Sequence, residues 1–400
     1  LYAGGIRLAA LWHGKARLWS EGRRNIFERM EAAVRPSDRI VWVHAASLGE
    51  FEQARPIIER LRAEHPEYKI LLTFFSPSGY EIRKNYEGAD YVFYLPADTP
   101  SNARRFLDIV HPEIAIFIKY EFWINLLSEL RRRKVRSYIV SAIFRRNSVF
   151  FRPYGAMWRQ ALETFDTLFV QNVESKRLLS EIGFDNVVVA GDTRFDRVAQ
   201  IAAAAQRVET IERFRGGGRL FVAGSTWGPD EEILLPLVNA NPDVKFVIAP
   251  HEMDEGRIAH LMRNAKGGAV RYTQCDAATR FDDVQVLVLD TMGMLSSVYG
   301  SATWAYVGGG FGVGIHNTLE AATFGLPIAF GPNYGKFKEA RDMVSLGCAV
   351  SVRTAGELAA WFAPLCDDEE TLRRASRTAK DYTARNQGAT GIILRSIFNS

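Results

Sequence analysis

The sequence is poor in the residues that hold metals or crosslinks. Its three cysteines, Cys275, Cys348 and Cys366, are odd in number and follow no ligand or disulfide spacing, so they read as buried thiols of a reducing compartment. The histidines His44, His251, His260 and His316 are scattered, and neither an HExxH nor a pair of CxxC motifs is present, which argues against a zinc site. A GxSxG elbow and a P-loop are also missing, so serine-hydrolase and P-loop chemistry fall away. The mechanism expected is therefore free of metal and cofactor. Neither charge sign dominates: 50 Lys and Arg stand against 46 Asp and Glu, with no polybasic tail or basic aromatic platform. Such a mild excess suits an anionic substrate or membrane surface and speaks against nucleic acid as a partner.

What is present is an ordinary core in a long chain. Four hundred residues at 47% hydrophobic are more than one domain usually fills, and two domains are expected. The start, LYAGGIRLAALWHGKARLW, is too short and too charged to span a bilayer and lacks the apolar stretch and cleavage site of a signal peptide. Helical spacing puts Leu1, Leu8, Leu11 and Leu18 near one side with Arg7, Lys15 and Arg17 among them. Two readings stay open for residues 1–20: a basic amphipathic helix lying in the membrane interface, or a helix packed on its own domain.

Beyond it, short β-branched or aromatic runs alternate with longer helical stretches, the pattern of parallel sheets covered on both faces. The first series has strands at Arg39 to Val43, Lys69 to Phe74, Tyr91 to Tyr94, Glu113 to Phe117, Arg136 to Val140, Thr167 to Val170 and Asn186 to Ala190. A second begins with LFVAGS after Arg219 and continues through Lys245 to Ala249, Val284 to Leu289, Ala302 to Val307 and Pro327 to Phe330. Between them AQIAAAAQRVETIERFRGGG suits an interdomain connection better than a core element, with a boundary near residue 200. The predicted domains are 21–200 and 201–400, with a last helix at Glu369 to Arg385 and an apolar tail, Ile392 to Phe398, crossing back onto the first. The fold class is α/β: two Rossmann-like domains whose strand ends face a common cleft, with the motifs after strands.

After Val307 comes GGGFGVGIHNTLEAATFG, in the order strand, glycine loop, helix. Its glycines, Gly312 among them, allow close backbone approach, and amides at the helix start offer a phosphate site. Asn317 and Glu320 fit either helix capping or, for Glu320, hydrogen bonds from a ribose. In the next loop Asn333, Lys336 and Lys338 read as solvated side chains. In the first domain RIVWV is followed by HAASLGEFEQARPIIERL, so Glu50 opens a helix at a strand end. It is an ordinary first-turn acid or a general base that takes the proton of an acceptor hydroxyl in an inverting transfer. Glu121, in IAIFIKYEFWINLL, is a buried structural carboxylate or a second cleft carboxylate; burial raises its pKa unless Lys119 or an arginine pairs with it. Gly224, Ser225 and Thr226, then Pro250 and His251, then Asp290 to Leu295 end three more strands of the second domain. Together with the glycine loop they make four such loops at successive strand ends, expected to enclose a nucleotide.

With these residues assembled, the chain resembles the 3-deoxy-D-manno-octulosonic acid (Kdo) transferases of lipopolysaccharide synthesis, a family of GT-B fold enzymes. The marks are WVHAASLGE, TFFSPSGY, FYLPADTPSNARRFL, KYEFWINLL, GDTRFD, GSTWGPDEE, IAPHE, LDTMGML and YVGGGFGVGIHNTLEAATFGLPIAFGPNYGKF, in this order from end to end. The resemblance implies transfer of Kdo from CMP-Kdo to the glucosamine disaccharide of a lipid A precursor, with inversion and without a metal, at the cytoplasmic face of the inner membrane. It implies Glu50 as proton acceptor and Glu121 as a second acid. It lays CMP against Ser225, Thr226, Pro250, His251, Met292, Gly293, Asn317 and Glu320, beside the glycine loop with Gly312. The chain departs from the commoner pattern at His251, where many members have Arg, at YEFWIN in place of TELWPN, and at Gly314 and Ile315 before His316. Another GT-B nucleotide-sugar transferase or an epimerase, and a non-catalytic membrane-bound scaffold, are the competing readings.

Overall fold

The computed structural model describes residues 13–399. Seven strands form a first, wholly parallel sheet: β1 Ile40–Ala45, β2 Lys69–Phe74, β3 Tyr91–Tyr94, β4 Ile114–Ile118, β5 Arg136–Ala142, β6 Thr167–Val170 and β7 Val187–Val189. Their order is β3-β2-β1-β4-β5-β6-β7. A second parallel sheet holds β8 Leu220–Thr226, β9 Lys245–Pro250, β10 Ala269–Arg271, β11 Val286–Val288, β12 Trp304–Val307, β13 Ile328–Phe330 and β14 Ala349–Ser351, in the order β10-β11-β9-β8-β12-β13-β14. Both are doubly wound α/β sheets, as expected. The strand order reverses between β1 and β4 in one and between β8 and β12 in the other, and ligands of open α/β sheets bind at such reversals.

Burial on both faces explains the near-continuous apolar strands. Alternate residues of β1 feed two cores: Ile40 and Trp42 pack with Leu71, Phe106 and Phe117, while Val41, Val43 and Ala45 pack with Ile70, Phe51 and Ile57. The second sheet repeats this, with Val222, Val247 and Phe330 on one face and Phe221, Phe246 and Trp304 on the other.

Contacts divide the chain after Arg197, with residues from Gln387 onward joining the first unit. There the helix Ala389–Phe398 buries Ile393, Leu394 and Ile397 beside Val41 and Ile57, and Phe398 stacks on His65 at 3.9 Å. The Asp196 carboxylate accepts the N–H groups of Gly388 and Thr390 at 2.6 and 2.7 Å at the start of that helix. The connecting stretch differs from expectation. It folds as the helices Thr193–Ala204 and Glu209–Arg215, and the second buries Ile211 and Phe214 in the core of the second unit.

The helix expected over residues 1–20 falls largely outside the described residues. Its visible part, Gly14–Gly22, carries Leu18 in solvent but buries Trp19 edge-on against Phe75, with centroids 5.9 Å apart. The Arg23 guanidinium lies 3.9 Å over the Trp19 ring and donates to the Leu95 and Phe75 carbonyls. This segment therefore packs on its own unit. Among the described residues no helix is long and apolar enough to cross a membrane.

Candidate functional site

In the first unit β1 runs out at Ala45, and the helix Leu48–Glu64 starts from the extended Ser47. Glu50 is its third residue. The Oε2 atom of Glu50 accepts the Ala46 N–H at 2.6 Å, a local bond that draws the carboxylate back over the strand end. Half-burial, and then the nearby charge of Glu121, raise its pKa above the ordinary carboxylate range, against the pull of the Ala46 N–H and of Lys119. The two candidate acids are thus brought to one place by β1 and its neighbour β4, where the strand order reverses. Glu121 follows Lys119, whose φ of 60° turns the chain sharply after β4. Its side chain is 12% exposed; Oε2 accepts the Trp123 indole N–H at 2.7 Å and lies 3.1 Å from Nε2 of the buried His44. Burial raises the pKa of the Tyr120 hydroxyl, and the charges of Glu50 and Asp192 act in the same sense against that of Arg145.

The raised pKa of Glu50 has a consequence for stability. In the unfolded chain the group ionises near 4.5, in the folded protein only at higher pH. Between the two the folded state holds the extra proton, so stability falls as pH rises through that window. Glu50→Gln removes the loss. Its Tm relative to the unaltered protein is expected to climb between pH 4 and pH 8, and a difference that is flat or falls over this range in thermal scans would contradict the assignment.

In the second unit the functional loops follow β8 and β12, again where the order reverses. Ser225 has φ 54° at a bulge where the β8 register against β9 shifts between Gly224 and Thr226. The glycine loop passes directly against it: a Cβ on Gly308 would lie 2.2 Å from the Ser225 carbonyl oxygen, and one on Gly310 within 2.5 Å of the Gly331 backbone. These glycines serve contact between protein backbones rather than with a ligand. The Asp230 carboxylate, fully buried, ties the loops together by accepting the N–H groups of Trp227 and Gly309, each at 2.9 Å, and the Tyr306 hydroxyl at 2.7 Å. Burial outweighs these donors and raises its pKa.

The helix after the loop, Thr318–Thr323, has only six residues, so its dipole is weaker than the sequence implied. The loop also spends several of its amides internally: Gly308 on Gly224, Gly309 on Asp230, Gly312 on Gly309 and His316 on Gly308. Among the described residues none is spent by the N–H groups of Phe311, Val313 and Gly314, and these three line a pocket of about 390 Å³ together with Gly309, Gly312, Trp227, Pro229, Asp230, His251 and His316. Two of the histidines read as scattered meet here, His251 stacking on His316 at 4.3 Å and on Trp227 at 4.8 Å. The Trp227 indole N–H donates to Nε2 of His316 at 3.1 Å, which requires the neutral ring with its proton on Nδ1. Burial, and then His251, lower the His316 pKa in the same sense.

Of the remaining sequence candidates, Asn317 caps the short helix by accepting the Leu319 N–H at 3.1 Å. Glu320 does not close the capping pattern on the backbone; it accepts from the Asn317 amide and the Ser296 hydroxyl, both at 2.9 Å. Met292 and Gly293 are exposed just before Leu295–Tyr299, the helix that carries Ser296. Thr226 is buried and donates its hydroxyl to Glu231 at 2.9 Å, Pro250 ends β9 buried, and Ile315 is a core residue. Lys336 and Asn333 are exposed as expected, and they also clasp the glycine loop, donating to the Val313 and Gly312 carbonyls at 2.6 and 2.7 Å. Sequence reasoning passed over Trp227, Asp230 and His316, which lay in the quoted motifs, and Thr73 beside His44. Among the described residues no three of His, Cys, Asp and Glu converge as a metal site.

Residues 23–197 match the family model described as 3-deoxy-D-manno-octulosonic-acid transferase (kdotransferase). Along more of its length the chain is similar to the 3-deoxy-D-manno-octulosonic acid transferase of Haemophilus influenzae, 25% identical over 378 residues that make up 90% of this chain and 86% of that one. It is 28% identical to that of Bordetella pertussis over 373 residues, 89% and 86% of the two chains. In structure it is similar to a UDP-GlcNAc 2-epimerase from Neisseria meningitidis, with a TM-score of 0.64 and 15% identity over 90% of this chain and 100% of that one. For MurG of Acinetobacter baumannii the TM-score is 0.56, with 12% identity over 91% and 100%. These two likenesses establish the GT-B fold.

Proposed function

We propose, on the premise that the chain belongs to the 3-deoxy-D-manno-octulosonic acid (Kdo) transferases, that it moves Kdo from CMP-Kdo to the glucosamine disaccharide of a lipid A precursor. The bond between C2 of Kdo and the CMP phosphate breaks as a primary hydroxyl of the acceptor attacks C2 from the opposite side, inverting it. Glu50 takes the hydroxyl proton, and the electron pair leaves with CMP. The observation that carries this reading is the carboxylate of Glu50 at the end of β1, with its proton affinity raised by burial and by Glu121, because a base works best when its pKa approaches the working pH.

In the second unit the reading lays CMP along Ser225, Pro250, His251, Met292, Gly293, Asn317 and Glu320, with Thr226 as a prop beneath the loop. The open N–H groups of Phe311, Val313 and Gly314, beside Gly312, serve the charge that gathers on the departing phosphate without a metal. The reaction takes place on the cytoplasmic face of an inner membrane, to which the leucines and cations of residues 1–20, apart from the packed Trp19, draw the chain.

Nucleotide choice separates this reading from a UDP-sugar transferase or epimerase. Purified protein is expected to release CMP from CMP-Kdo only when a tetraacylated lipid A precursor is present, and to leave UDP-N-acetylglucosamine unchanged. Turnover of the UDP-sugar with none of CMP-Kdo would reject it.

A further inference from the structure

We propose that His44 is a positioning residue for this transfer: fixed by Thr73 with its proton on Nε2, it donates to the Glu121 carboxylate and so holds that acid beside Glu50. The inference rests on the reading of Glu50 as the base. His44 lies inside β1 with no exposure and stands opposite Thr73 of β2 in the sheet register. A histidine there would be an expensive choice for a strand core without a role for both ring nitrogens.

The proton positions follow from donor counting. The Trp42 indole donates only, and its N–H reaches the Thr73 hydroxyl oxygen at 2.8 Å. Thr73 is fully buried, and its oxygen has one other partner among the described residues, Nδ1 of His44 at 2.8 Å. The hydroxyl proton therefore goes to Nδ1, which accepts, and the neutral imidazole carries its own proton on Nε2. That N–H faces Oε2 of Glu121 at 3.1 Å; the Trp123 indole N–H lies as far from Nε2, at 3.1 Å, but meets the same Glu121 oxygen at 2.7 Å and is spent there, whereas a proton on Nδ1 would leave the buried Thr73 hydroxyl proton without an acceptor. Two donors on one oxygen leave Glu121 fixed in direction, with its charge next to Glu50.

The charged groups that act on Glu50 are Glu121 and Lys119, and the nearby Tyr120 hydroxyl feels the charges of Arg145, Glu50 and Asp192. Glu121 raises the proton affinity of Glu50 and Lys119 lowers it, while the neutral His44 acts on it through Glu121. If Glu121 swings away, Glu50 loses the neighbour that opposes its ionisation, and the acid limb of the pH profile moves to lower pH.

Four variants test this: Thr73→Val and His44→Leu break the chain, while Thr73→Ser and His44→Gln keep a hydroxyl and an N–H at the same reach. For Kdo transfer, the two breaking variants are expected to lose on the order of tenfold to a hundredfold in kcat. KM for CMP-Kdo should hold, and the acid limb of kcat/KM should shift down; the conservative partners should restore both. Folded breaking variants whose acid limb stays at the original pH would overturn the proposal, since a purely structural loss lowers rate without moving the limb. Imidazole 15N shifts of the full chain, with His44 assigned from His44→Gln, give a reading free of activity. A proton on Nε2 supports the proposal, and one on Nδ1 overturns it even if the unaltered protein transfers Kdo. Absence of CMP-Kdo turnover by the unaltered protein, with the proton found on Nε2, would instead overturn the transfer reading and the positioning role that rests on it.

Discussion

Glu50→Gln is expected to lower the rate of Kdo transfer by about a hundredfold to ten-thousandfold, the range for removing a general base. The affinity for CMP should stay unchanged. The amide keeps the size of the side chain and an oxygen for the Ala46 N–H, so the start of the helix Leu48–Glu64 keeps its local bond. What it loses is the ability to take a proton. CMP binding is spared because the stacked rings and glycine loop lie in the second unit, whereas Glu50 lies in the first. Single-turnover measurement of product, beside calorimetry of CMP binding, separates the two terms. Transfer at the original rate would remove Glu50 as the base, and loss of CMP affinity in step with rate would make it a residue of binding.

The second large effect is expected at Asp230, which the sequence shows only as one of three acids at a helix start. Its carboxylate holds two backbone N–H groups and a tyrosine hydroxyl without access to water. Asp230→Ala leaves these donors unpaired, at a cost on the order of 3 kcal/mol. For a unit of this size that is a fall of roughly 6 to 12 °C in Tm. Because Gly309 and Trp227 both hang on this carboxylate, the pocket beside the glycine loop loosens as well, and CMP affinity should drop by about tenfold or more, or about 1.4 kcal/mol. Asp230→Asn, which retains one acceptor, should fall between. An Asp230→Ala protein that melts and binds CMP like the original would show that the loops are held by other contacts.

The same contrast explains what was legible in the sequence. Central strands such as β1, β2 and β4 were readable because burial on both faces demands unbroken apolar runs. The edge strands β10 and β14 were not: each has three residues, and AVR in β10 is only half-buried throughout, so no hydrophobic pattern marks it. The segment around Ile211 was misread because its alanines and glycines mask two buried apolar residues that anchor it to the second sheet. At the site, the order strand, loop, helix located Glu50, Glu121 and the glycine loop, since chain direction alone puts these at the ends of parallel strands. Convergence of residues distant in sequence was out of reach. His251 and His316 are 65 positions apart and become neighbours through the strand order that sets β8 between β9 and β12. Nor does composition show that Lys336 and Asn333 clasp the loop they seemed to leave free.

The account stands or falls on what leaves the active site attached to lipid. Incubation of the purified full chain with CMP-Kdo and a tetraacylated lipid A precursor, followed by mass spectrometry of the lipid, should show the precursor gaining the mass of one or more Kdo residues, with one CMP released for each. A lipid of unchanged mass, or a gain that appears only with a UDP-sugar as donor, would contradict it.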